Sequence, residues 1–76
     1  MLDPLHTFAA NLRRIREESG FSQEKLALES DLSMGHVSKI DRGDCEPGVR
    51  TVSKLARGLG VSVAALFEGI DGGERP

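Results

Sequence analysis

Residues 22–43 read SQEKLALESDLSMGHVSKIDRG and gather side chains able to engage an anion or the edge of a base. The ammonium of Lys39 can donate to guanine O6 and N7, and Met34 can pack on a thymine methyl. His36 and Ser38 offer polar groups in the same stretch, and Gly35 allows a close approach of backbone to a base or sugar. Other chemistries are poorly served. Cys45, His36 and Ser38 are near one another in sequence, but a short helix supplies neither pocket nor oxyanion hole, so no catalytic set is assigned. His6 and His36 with one cysteine lack the spacing of a metal site, and no cofactor or small-molecule ligand is expected. Cys45 sits between Asp44 and Glu46 in a polar loop, a setting for an unreactive thiol.

These groups need elements to hold them, and the pattern is helical throughout. Asp3 is a good N-cap with Pro4 at the first helical position. Phe8, Leu12 and Ile15 then make one apolar stripe that ends near Gly20. Ser22, Ser33 and Ser62 each read as an N-cap. Each is bracketed by an apolar pair at staple spacing: Phe21 with Leu26, Leu32 with Val37, Val61 with Leu66. A fourth helix carries Val52, Leu55, Ala56 and Leu59 before Gly60, and the fifth carries Val63, Leu66, Phe67 and Ile70. The chain is therefore expected to be all-α, with five short helices in one domain over 1–76 and a frayed tail over 71–76. Helices 2 and 3, within 22–43, form two pieces of about nine residues joined by a tight turn. That is the helix-turn-helix plan, in which the second helix enters the major groove. Ala27 is small where the two would cross.

Seventy-six residues suffice for about one small domain and are too few for an ordinary two-domain enzyme. Three phenylalanines, with no tyrosine or tryptophan, make the core aliphatic. One cysteine excludes an internal disulfide framework and favours a reducing, cytoplasmic setting. No apolar run approaches the roughly 18–20 residues that span a bilayer, so no membrane partner is expected. The net charge of −2 runs against the basic balance usual for nucleic-acid binders. Its distribution tempers that: residues 32–67 hold five cations against three carboxylates, a balance of +2. Apart from Asp3, the remaining acids cluster around 17–31 and in the tail.

The pattern resembles the Cro/phage-repressor (XRE) family of DNA-binding domains. The matching residues are Leu12 with Arg16, FSQEKLA (21–27), Ser33, VSKIDRG (37–43), Pro47, LARGLGVS (55–62) and Leu66-Phe67. The resemblance implies a compact five-helix, lambda-repressor-like domain that binds double-stranded DNA, usually as a homodimer on a palindrome. It implies base contacts from Met34, Gly35, His36, Ser38 and Lys39. Phosphate contacts would come from Ser22, Gln23 and Ser33 at helix N-termini and from Arg42, Arg50 and Lys54. A free helix N-terminus independently favours an anion. Arg16 and Asp41 correspond to the family's structural ion pair, whereas Arg13 and Arg14 are expected to be solvated. Three residues depart from the family pattern: Asp31 at a turn position usually glycine, Ser30 at a usually apolar position, and Gly35 where relatives often read a base.

The expected function is a sequence-specific transcriptional regulator similar to Cro-type repressors or restriction–modification controller proteins. The alternative is an antitoxin-like or other protein-interaction module on the same fold, which the acidic balance suits. Helix 5 is expected to bury Val63, Leu66 and Phe67, leaving Val61, Ala64, Ala65 and Ile70 as the dimer seam.

Overall fold

A computed structural model describes residues 3–70; the tail over 71–76 lies outside them. The described chain forms five α-helices and no strand: α1 Pro4–Glu18, α2 Gln23–Ser30, α3 Met34–Asp41, α4 Val49–Leu59 and α5 Val63–Leu66. Four starts are capped by side chains. Asp3 accepts from the Leu5 N–H, Ser22 from Lys25, Ser33 from His36 and Ser62 from Ala65. Such a cap contributes typically about 1 kcal/mol, a useful share for helices too short to persist alone. The start of α4 is different: Gly48 provides no side-chain cap.

Phe8, Leu12 and Ile15 of α1, Leu26 and Ala27 of α2, Val37 and Ile40 of α3, Val52, Leu55 and Ala56 of α4, and Leu66 of α5 share one hydrophobic core. α2 packs on α3 and α4, α1 on α3 and α5, and α4 on α5. α2 and α3 are thus held by α4 and α1 respectively.

The turn between α2 and α3 passes through Asp31 in the left-handed region, at φ 55° and ψ 48°. The Leu32 N–H closes it on Ala27 O at 3.0 Å. This is a Schellman-type ending, normally made by glycine; a short polar side chain tolerates the conformation at some cost.

α2 and α4 meet through residues that the sequence pattern did not single out as a pair. A methyl added at Gly58 would overlap Ser30 Oγ and lie 3.1 Å from backbone atoms of Glu29 and Ser30. Gly58 is the place where α4 comes against the backbone of α2. Ser30 is buried there, and its hydroxyl has no hydrogen-bond partner among the described residues.

α5 is a correction to the expected stripe. It is one turn long, so Leu66 alone of the helix is fully buried. Val63 and Phe67 remain 43% and 41% exposed. Phe67 nonetheless touches Phe8, ring centroids 5.2 Å apart. Asn11 secures this end of the chain by donating from Nδ2 to Leu66 O at 3.0 Å and to Glu68 O at 2.8 Å. No helix among the described residues is long and apolar enough to cross a membrane.

Candidate nucleic-acid interface

α3 turns Val37, Ile40 and Asp41 inward. Met34, Gly35 and Lys39 are consequently exposed, while His36 and Ser38 are half-buried on the flanks. His36 and Ser38 are less open than the other three because an eight-residue helix against two neighbours keeps only a narrow outer strip. Lys39 makes no ion pair among the described residues. Its ammonium, beside the side-chain-free Gly35 one turn earlier, stands clear for an external acceptor.

Asp41, the last residue of α3, anchors the helix. Its carboxylate is 5% exposed and faces the Arg16 side chain, itself 13% exposed. Arg16 Nε donates to Oδ1 at 3.0 Å and Nη2 to Oδ2 at 3.4 Å, a planar fork against a carboxylate. Arg16 Nη1 donates to Phe21 O at 2.8 Å, and Gln23 Nε2 donates to Asp41 Oδ2 at 3.1 Å. α1, the start of α2 and the end of α3 are therefore tied through one buried acid. The network sets the angle at which α3 is presented.

Two expected roles change in this geometry. Arg13 is not simply solvated: Nη2 donates to Asp41 O at 3.0 Å and Nε lies 3.8 Å from Oδ2. Arg14, by contrast, is a surface residue paired with Glu18 one turn on. Gln23 spends one amide proton on Asp41, so only its other proton is left for a phosphate. Ser22 and Ser33 accept the capping N–H groups through Oγ, which leaves each hydroxyl proton free to donate outward. Arg50, exposed, and Lys54, half-buried, make no ion pair among the described residues. Arg42 is engaged by Asp44 and Ser38. No group of three His, Cys, Asp or Glu among the described residues could hold a metal ion. Cys45 is half-buried against the core.

A separate apolar surface lies over α4 and α5. Val49 is 88% exposed and, with Val63, Phe67, Pro47, Val52 and Ser53, lines a shallow groove. A second groove adjoins it and adds Pro4, Leu5, Phe8, Glu46 and Ile70. Of the expected seam, Ala64 is exposed and Val61, Ala65 and Ile70 are half-buried. Val61, Ala65 and Ile70 pack partly against the core, and the large apolar side chains exposed on this side are Val49, Val63 and Phe67.

Two short helices around a tight turn, the second with a free outer strip, define a DNA-binding helix-turn-helix domain. Residues 12–66 match the Helix-turn-helix family, and the chain belongs to that XRE-type family of transcriptional regulators. It is 34% identical over 70 residues to the HTH-type transcriptional regulator y4dJ of Sinorhizobium fredii, covering 92% of this chain and 91% of that one. It is 37% identical over 62 residues to the control protein C.BamHI of Bacillus amyloliquefaciens, covering 80% and 76%. Its fold is similar to the crystal structure of the restriction–modification controller protein C.AhdI from Aeromonas hydrophila, with a TM-score of 0.81 and 35% identity. That match covers 83% of this chain and 96% of the other.

Proposed function

We propose that this chain is a sequence-specific transcriptional regulator that binds a palindromic operator as a homodimer, in the manner of a restriction–modification controller. The free outer strip of α3, with Lys39 and Met34 exposed on a helix locked from behind by Asp41, carries the reading. Similarity over most of the length of both C.AhdI and C.BamHI supports the controller class. Each protomer would lay α3 in the major groove, with half-sites about one helical turn apart. Ser22, Gln23 and Ser33 would steady the register through phosphates, as would Arg50 and Lys54; such contacts position without specifying sequence. Selection from a pool of random duplexes tests this directly. A palindromic consensus is expected, and recovery of no preferred sequence would sink the reading.

Lys39→Ala should relax the preference at one base pair in each half-site, at a cost of about 1–3 kcal/mol per contact. The measurement is binding to the selected duplex and to its single-base variants. Equal weakening on every duplex would make Lys39 a phosphate contact instead.

The dimer seam we propose is the face of Val49, Val63 and Phe67, because it is the exposed apolar surface of α4 and α5. α3 packs on α1 and α2, leaving that face available for pairing. A two-fold pairing uses the same patch on both chains. Val63→Glu, a charge on an already exposed position, should leave the helical content intact, convert the dimer to monomer in sedimentation and weaken operator binding. A variant that stays dimeric would remove this face from the interface.

A further inference from the structure

Arg42 is the residue at the C-terminal cap of α3, and two of its guanidinium donors are already engaged. Nε donates to Asp44 Oδ2 at 3.0 Å, and Nη1 donates to Ser38 Oγ at 3.0 Å. The pair is at the surface, with Arg42 and Asp44 side chains 57% and 59% exposed. The backbone holds it in place: the Asp44 N–H donates to Lys39 O at 2.9 Å, closing the turn after α3. The Asp44 carboxylate is thus rooted beside the last turn of the helix that would lie in the groove. Of the five cations between residues 32 and 67, Arg42 alone is paired with a carboxylate among the described residues.

We propose that Asp44 sets the DNA affinity of this chain by withholding Arg42 from the phosphate backbone. A cation that neutralises one phosphate releases condensed counterions and steepens the salt dependence by about 0.9 in log–log slope. A guanidinium with a carboxylate 3.0 Å away forms a pair whose net charge is zero. Two of its donors are directed along α3 to Ser38 and back to Asp44. The consequence is a weaker sequence-independent grip, with a correspondingly larger share of the binding carried by base-edge contacts. The inference rests on the DNA-binding reading above.

The test is a salt titration of binding for the native chain, Asp44→Asn, Arg42→Gln and the double variant. Each is measured on the selected operator and on an unrelated duplex. Asp44→Asn keeps the backbone N–H that closes the turn, and its circular dichroism should match the native chain. Its slope should steepen by about 0.9 on both duplexes, with a gain of up to about eightfold at 0.1 M salt. In the Arg42→Gln background the same substitution should give little gain. An unchanged slope in Asp44→Asn overturns the proposal, as does a full gain that persists without Arg42, which would be plain charge repulsion. A weaker variant also overturns it, since Asp44 would then be steadying Arg42 onto a phosphate. In those cases the native chain still binds the operator, so the DNA-binding reading survives. Failure of the native chain to bind any duplex overturns that reading and the proposal together.

Discussion

Asp41→Ala is expected to lower stability by about 3–5 kcal/mol, the range for breaking a buried ion pair from one side. The cost comes from what is left behind. Arg16, 13% exposed, loses both donors' carboxylate partner while Nη1 remains tethered to Phe21 O. Gln23 Nε2 and the Nε side of Arg13 lose their acceptor as well. At roughly 0.05–0.15 kcal/mol per residue, a domain of this size has about 4–11 kcal/mol in total. The variant should therefore melt far below the native chain, by more than 10 °C at about 4–8 °C per kcal/mol. Arg16→Ala and Asp41→Ala together should cost much less than the sum of the two, because each removes the same interaction. A melting temperature unchanged in Asp41→Ala would show that the network holds nothing. The loss should appear as unfolding and not as altered base preference, since Asp41 faces inward.

Gly58→Ala is expected to destabilise, against the sign of helix propensity. In an open helix interior, Gly→Ala stabilises by about 0.5–1 kcal/mol. Here the new methyl would meet Ser30 Oγ and the backbone of α2. A hydroxyl can rotate aside, but backbone 3.1 Å away can yield only if α2 moves off α4. Overpacking of that kind costs about 1–3 kcal/mol, which exceeds the propensity gain. Shifting α2 also strains Gln23 and the turn that presents α3, so operator binding should weaken in parallel. Ser30→Ala tests the mechanism. Alone it removes a buried hydroxyl without a partner among the described residues and should be neutral or stabilising, by about 1 kcal/mol. Combined with Gly58→Ala it should restore part of the loss, because the Oγ overlap goes while the backbone approach stays. Thermal melts of the three variants decide it: a Gly58→Ala protein as stable as the native chain would mean that the helices separate freely.

The helices and their order are legible in the amino-acid pattern. Serine caps, staple pairs and apolar spacing are local signals, each acting within about one helical turn. They marked the starts of α2, α3 and α5 at Gln23, Met34 and Val63. The resemblance carried in VSKIDRG pointed to Arg16 and Asp41, which meet across 25 positions of sequence. Contacts between groups whose own surroundings look ordinary emerge only from packing. Arg13 reads as one more surface cation until α3 brings the Asp41 carbonyl to it. Gly58 reads as a weak point in a helix until Ser30 of α2 is laid against it, and Asn11 as a polar interruption until it caps the chain after α5. The outward turn of Val63 and Phe67 was decided the same way. A one-turn helix has room to bury only one side chain, and periodicity predicts which residues share a stripe but not how much of it a neighbour covers. Local free energy writes the elements into the sequence within a few residues of where they act. Burial depends on which other surface arrives, and that is settled only when the whole chain packs.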